Sequence, residues 1–248
     1  MTARVIPTRT ERAVPHGPKL VVDDVGGWAV VRDDLVDGGT KARVLPLLFG
    51  PDADEYVYAS PAEGYAQRAL AVAAAAHGKR ATVFVARRAN PHPNTLAAQA
   101  AGANVLTVSP GYLSVVQARA AEYCRIRSAR LLPSLLPFGL DVPIIRHAIA
   151  DVALAGVPWT PTEVWCVAGS GLLTRALQEA WPNARHFAIQ VGADPDAGAA
   201  TVYKAPEAFA APAQRPPPFP SAANYDAKAW QFLLERASNG ALFWNVGA

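Results

Sequence analysis

Two stretches of this chain combine residue types that could carry chemistry. The first is Arg32-Asp33-Asp34-Leu35-Val36-Asp37-Gly38-Gly39-Thr40-Lys41-Ala42-Arg43. A lysine just past a Gly-Gly turn, at the start of a helix, is held close to the backbone. If it is buried there, its ammonium form is disfavoured and the free amine becomes a nucleophile able to form a Schiff base. The competing reading is a solvated helix N-terminus rich in charge, which charge-run statistics alone favour. Lysine occurs only at Lys19, Lys41, Lys79, Lys204 and Lys228, so a reactive one is easily nominated.

The second stretch is Val167-Ala168-Gly169-Ser170-Gly171-Leu172-Leu173-Thr174, between an apolar run and a helix start. Glycines let the backbone approach an anion, and a helix N-terminus presents free N–H groups with the favourable end of the dipole. The spacing lacks the Gly-Lys-Ser/Thr ending of a Walker loop and does not fit Gly-x-Gly-x-x-Gly. Tight strand–helix packing accounts for such a turn about as well as a phosphate does.

The elements that must position these residues follow an alternating pattern. Trp28–Arg32, Glu55–Ser60, Lys79–Ala86 and Asn104–Val108 read as strands; Ala66–His77, Thr95–Ala101 and Tyr112–Arg125 read as helices. Gly78 and Gly102 close two of those helices as C-cap residues. A second unit follows, with helices over Ile144–Ala155 and Leu172–Ala180 and strands over Glu163–Ala168 and His186–Val191. This rhythm predicts an α/β fold of open, mostly parallel sheets flanked by helices. Between Gly192 and Ala223 the composition shifts to Ala, Pro and Gly, which reads as a long surface connection. Asp226–Arg236 regains helical periodicity and Gly240–Asn245 reads as a final strand. Trp230, Phe232, Phe243 and Trp244 read as core.

Composition narrows the function classes. The chain has 248 residues, 51% of them hydrophobic, enough for a sizeable core. Lys+Arg 23 against Asp+Glu 20 leaves a net charge of +3. That permits an anionic substrate but falls short of the basic stripe of a dedicated nucleic-acid binder. Cys124 and Cys166 are too few for a disulfide framework or a four-ligand zinc site, and both read as small buried hydrophobes. The five histidines show no ligand spacing, so no metal is expected. No run approaches the ~20 apolar residues of a membrane span. A soluble protein of a reducing compartment, cytoplasmic and without membrane contact, is the expectation.

Taken in order, the segments resemble the fold-type II pyridoxal-phosphate enzymes, the tryptophan-synthase-β-like group. Within that group they are most similar to D-cysteine desulfhydrase and aminocyclopropane-carboxylate deaminase, in shortened form. Ile6-Pro7-Thr8 looks like the family's opening, and Arg32–Leu35 with Gly38–Arg43 looks like its cofactor-lysine run. Gly169-Ser170-Gly171 sits where its phosphate loop falls, and Asn224–Ala229 resembles its late Val-Tyr-x-Gly-Lys-Ala motif. Ala241–Gly247 looks like its terminal strand.

The resemblance implies pyridoxal 5'-phosphate as cofactor and assigns roles. Lys41 would carry the Schiff base and move the substrate's α-proton. Ala168, Gly169, Ser170, Gly171 and Leu172 would hold the phosphate, with Thr174 as an extra donor. Tyr225 would act beside the substrate, and Asp226 would face the pyridine nitrogen, where a carboxylate strengthens the electron sink. Asn245 stands at the cofactor end of the terminal strand, replacing a family His-Thr. The family's Ser-Asn-His loop becomes Gly64-Tyr65-Ala66, so Tyr65 replaces its asparagine, or a shifted alignment places Ser60 or Glu63 there. Asp141 falls on a loop like the second substrate-side loop, and Arg146 on the helix after it reads as structural.

The implied organisation is a larger cofactor lobe of residues 1–44 and 143–248 and a smaller lobe of 45–142, in a homodimer. The implied reaction is lyase or deaminase chemistry through a Schiff base and a quinonoid on an amino acid or related amine. Two alternatives stand beside it. One is a decarboxylase or lyase acting on an amino-acid group attached to a nucleic acid, such as a hypermodified DNA base. The other is a non-catalytic cofactor-binding protein.

Overall fold

β-Branched and aromatic runs form the strands, and alanine- and leucine-rich runs form the helices that cross between them. The computed structural model describes residues 18–109 and 111–248, without the side chains of 129–131. The Ile6-Pro7-Thr8 motif and His16 lie outside the described residues.

In chain order the elements are β1 (Val22–Val25), β2 (Trp28–Arg32), α1 (Gly39–Val44), β3 (Glu55–Ser60), α2 (Ala66–Ala76) and β4 (Arg80–Ala86). Next come α3 (Pro93–Ala100), β5 (Asn104–Val108), α4 (Leu113–Leu131), β6 (Ser134–Leu135) and α5 (Pro143–Gly156). The chain closes with β7 (Glu163–Ala168), α6 (Leu172–Ala180), β8 (Arg185–Gln190), β9 (Thr201–Lys204), α7 (Trp230–Arg236) and β10 (Leu242–Asn245).

Two sheets result. One has the order β1-β2-β10-β7-β8-β9 and the other β5-β4-β3-β6. Every pair is parallel except β1–β2, an antiparallel hairpin turned by Gly26 and Gly27, both at positive φ as a two-residue turn requires. Parallel strands covered on both faces read as unbroken apolar runs. Accordingly β3 and β7 are buried at all six positions. Trp165, Phe243 and Trp244 are fully buried at the centre of the first sheet, while Phe232 packs on the core's edge. The α/β fold with mostly parallel sheets is as expected from the pattern.

Several boundaries differ from the expectation. The stretch 192–223 is more than a surface connection: it carries β9, which pairs with β8, and buries Ala197 and Ala205. Small alanines fit against a sheet edge without producing an apolar run, so composition concealed them. Asp226–Ala229 forms a tight 3-10 turn, and the α-helix starts only at Trp230. Helix α4 extends to Leu131, beyond Arg125. Cys124 is only part-buried, whereas Cys166 is fully buried. No helix among the described residues is long and apolar enough to cross a membrane.

Candidate active site

The carboxyl ends of β2, β10, β7 and β8 in one sheet and of β3 in the other meet around a cavity of about 370 Å³. Open parallel sheets bind ligands at that end. Lys41, Ser60, Glu63, Gly64, Tyr65, Gly169, Ser170, Gly171, Leu172, Tyr225 and Asp226 all line this cavity.

Lys41 lies in the first turn of α1, behind Gly38 at φ +81° and Gly39 at φ +63°. A Cβ on Gly39 would overlap the Val246 carbonyl oxygen, so the turn needs glycine both for its backbone angle and for space. The lysine lines the cavity and is part-buried; burial lowers its pKa to about 8, opposed by the charge of Asp141. At neutral pH a useful fraction of its amine is therefore free.

Apart from the exposed Asp37, which pairs with Arg68, the charges before Lys41 form an interior network in place of a solvated helix N-terminus. The Asp33 carboxylate accepts hydrogen bonds from Thr40 Oγ1 (2.5 Å), Arg43 Nε (2.8 Å) and Trp244 Nε1 (3.2 Å). Arg32 grips Asp34 through two bonds of 2.8 Å and reaches Asp23 at 2.6 Å. These bonds clamp α1 to β2 and β10 from both sides. Charge counting could not see this because it ignores which charges pair.

Gly169, Ser170 and Gly171 form the turn from β7 into α6. Gly171 is the N-cap at φ +88°, so the N–H groups that open the helix have no intrahelical acceptors. The Tyr225 phenol rests on this turn: a Cβ at Gly169 would lie 2.8 Å from its Oη. Burial first, and then the charge of Asp226, raise the Tyr225 pKa against a backbone hydrogen bond from Gly169, so the phenol stays protonated.

Asp226 is fully buried. Its Oδ2 accepts from the Gly247 N–H at 3.2 Å, while Oδ1 has no hydrogen-bond partner among the described residues. Burial pushes its pKa well above the usual carboxylate range, and Asp34 and Asp33 push the same way. Asp226 lines the cavity, and an unpartnered buried carboxylate oxygen suits a cationic N–H of a ligand.

Tyr65 packs beside Asp226, against the glycine whose N–H bonds that carboxylate: a Cβ at Gly247 would lie 2.5 Å from its Cζ. Burial raises its pKa against the nearby Arg68 guanidinium, 5.5 Å from the ring centre. Ser60 Oγ donates to the Pro61 carbonyl at 2.8 Å, and a Cβ at Gly64 would crowd that hydroxyl. Glu63 pairs with Arg88.

Four nominated residues stand elsewhere. Ala168 ends β7, and its carbonyl accepts from Val191 N in the ladder. Thr174 faces inward under α6, its hydroxyl 3.2 Å from Cys166 Sγ. Asn245 donates to Asp34 and to the Pro220 carbonyl and accepts from Ser221, so it braces β10 instead of reaching the cavity. Asp141 pairs with Arg175 and touches the site only through its field on Lys41. Arg146 pairs with Glu179, consistent with a structural residue.

Sequence reading also passed over cavity residues. Tyr58 accepts from Gly139 N at 3.2 Å, and burial pushes its pKa up to about 12. Because β3 is buried throughout, no alternation marked the tyrosine out. Asn224 lines the cavity with its Nδ2 unpartnered among the described residues. Its place beside Tyr225 and Asp226 was the available signal. Phe209 and Ala222 close one side from the Pro-rich stretch, where the buried Lys228 ammonium donates to the carbonyls of Ala208 (2.8 Å) and Phe209 (3.2 Å).

No protein-family model and no curated protein sequence matches the chain. Solved structures do. An ACC deaminase homologue superposes with a TM-score of 0.76 at 17% identity, covering 89% of this chain and 84% of that one. O-ureido-L-serine synthase gives 0.66 at 16%, covering 95% and 90%. Escherichia coli diaminopropionate ammonia lyase gives 0.59 at 15%, covering 89% and 78%. The chain has the tryptophan-synthase-β-like fold of the fold-type II pyridoxal-phosphate enzymes, as its motifs led one to expect.

Proposed function

We propose that this chain is a pyridoxal-phosphate-dependent lyase or deaminase acting on a small amino acid or related amine. The observation that carries the reading is a single cavity holding a lysine poised near pH 8, a glycine turn at a helix N-terminus and an unpartnered buried carboxylate oxygen. Those three features fit the aldehyde, the phosphate and the ring nitrogen of one cofactor. Two of the similar structures, the deaminase homologue and the ammonia lyase, are named for related chemistry.

Pyridoxal phosphate, when bound, supplies an electron sink that weakens bonds at the α-carbon of an attached amine. The chain's own residues do the rest. Lys41 Nζ would hold the cofactor's aldehyde carbon and would be the group that accepts and returns a proton at the substrate's α-carbon. The amides around Gly169–Leu172 would hold the phosphate. The Asp226 carboxylate would accept from the ring N–H and keep that proton in place. Tyr225, Tyr65 and Tyr58 are held protonated, so they orient and donate in preference to acting as bases.

Lys41, the glycine turn and Asp226 hang on the first sheet, whereas Ser60 to Tyr65 hang on the second. That supports a cofactor lobe of 1–44 and 143–248 and a smaller substrate-side lobe of 45–142. The test is an absorbance spectrum of the protein mixed with pyridoxal phosphate. A band near the visible edge that borohydride bleaches and Lys41→Ala lacks is expected. Its absence from the wild type would remove the proposal.

A further inference from the structure

Tyr58 lines the cavity from β3 of the second sheet, whereas the turn that opens α6 belongs to the first. The tyrosine is 3% exposed. Its oxygen accepts from the Gly139 N–H at 3.2 Å, and its own proton has no acceptor among the described residues. A buried hydroxyl proton left without an acceptor is unfavourable. A ligand with an oxygen to offer is the partner this one lacks.

Gly139 fixes where that proton stands. A Cβ on Gly139 would lie 3.1 Å from Ser170 Cβ and 3.2 Å from Ser170 Oγ, so the glycine sits directly on the turn between β7 and α6. The Tyr58 and Ser170 hydroxyls therefore flank one residue, and all three residues line the same cavity. A second contact agrees. Tyr58 is near enough to Tyr225, whose phenol rests on Gly169 of that turn, for ionisation of one phenol to oppose that of the other.

The backbone is bent to hold this arrangement. Gly139 is at φ +73° and the buried Leu140 at φ +59°, a region that residues with a Cβ rarely occupy unless their surroundings hold them there. Asp141 then pairs with Arg175 of α6, so the segment leading from β6 to α5 is fastened to that helix. Burial keeps the Tyr58 phenol protonated, with its pKa pushed up to about 12. It is a donor across the physiological range.

We infer that Tyr58 is a ligand of the cofactor phosphate, donating its phenol proton alongside the amides of Gly169–Leu172, so that the phosphate fastens the smaller lobe to the larger. A phosphate group presents several strong acceptor oxygens, and the N-terminus of α6 is where this one would sit. The inference rests on the cofactor reading above and deepens it. The rival is a phenol that only supports Gly139 or meets the substrate.

The experiment titrates pyridoxal phosphate, and pyridoxal without the phosphate, into the full chain as wild type and as Tyr58→Phe, following the Lys41-dependent band. The readout is the ratio of the two dissociation constants. Tyr58→Phe is expected to shrink the advantage of the phosphate roughly ten- to hundredfold, the scale of one hydrogen bond to a charged group. A loosened fold would weaken both ligands alike and leave the ratio unchanged, and an unchanged ratio with the band intact overturns this inference alone. Hydrogen exchange of the wild type covers a Tyr58→Phe chain that fails to fold. Protection of the Gly139 amide should rise more with pyridoxal phosphate than with pyridoxal, because a phenol that donates becomes a stronger acceptor. Equal protection by the two ligands would overturn the inference as well. A wild type without the Lys41-dependent band would remove the cofactor reading and this inference with it.

Discussion

Gly171 and Asp196 touch so closely that a Cβ on the glycine would overlap the Asp196 carbonyl oxygen. The stretch after β8 thus seats directly on the turn that opens α6. Arg175 in that helix reaches back to Asp196 at 2.7 Å and also pairs with Asp141, tying the two segments together.

Gly171→Ala should therefore be costly twice, through its positive φ and through that overlap. The left-handed backbone alone costs ~1–2 kcal/mol in a residue with a Cβ. Thermal melts should show a lower Tm, by roughly 2–4 °C per kcal/mol for a chain of this size. Equilibrium titration should show weaker capture of pyridoxal phosphate, while Gly240→Ala, whose Cβ would meet open space, should leave capture intact.

Lys41 makes loading depend on pH. Its pKa of about 8 means that the ammonium dominates below that value and the free amine above it. The rate of Lys41-dependent band formation should rise with pH and level off above about 8, measured by stopped-flow absorbance. The same shift affects stability. Between pH 8 and the ordinary lysine value of 10.5 the unfolded chain binds more protons than the folded one, so this group's penalty falls as pH rises. Lys41→Met should accordingly stabilise the cofactor-free chain at pH 7, on the order of 3 kcal/mol at most, with the gain fading toward pH 10.5.

Asp226 should show the opposite sign. Its raised pKa means that the folded chain holds a proton the unfolded chain has lost, so its contribution becomes unfavourable as pH rises from the usual carboxylate range through the folded value. Asp226→Asn should raise the Tm of the cofactor-free chain at pH 7 and weaken pyridoxal-phosphate binding. Calorimetric melts with and without cofactor would read both; a lower Tm without cofactor would contradict the account.

The Asp33 cluster should behave as structure. Asp33→Ala leaves the buried Arg43 guanidinium uncompensated and takes an acceptor from Thr40 and Trp244. Removing one partner of a buried pair costs about 3–5 kcal/mol. Urea unfolding should register a loss of that order, and the Lys41-dependent band should weaken as α1 loosens.

Most of the fold could be read from the chain because its central strands are continuous apolar runs and Gly78 and Gly102 mark the ends of two helices; β3 and β7 match their expected bounds to the residue. Strand β9 could not be read, since Thr201–Lys204 is a short edge among alanines and prolines and buries little of itself. Of the residues that motif order nominates, Lys41, the glycine turn, Tyr225 and Asp226 come together at one cavity, whereas Thr174 and Asn245 do not line it, because adjacency along the chain does not give the direction of a side chain. A helix residue beside a phosphate turn can point inward, as Thr174 does, and a terminal-strand residue can spend its bonds on a neighbour, as Asn245 does on Asp34.

The clasp of Lys228 on Ala208 and Phe209 pins the main chain at one end of a cavity wall. Side chains pin the other end, where Phe219 packs on Trp230 and Phe243 and Ser221 donates to Asn245. Phe209 stands between the two fastenings and lines the chamber, so exchanging that one ring could reshape the chamber while Lys41, the glycine turn and Asp226 stay untouched.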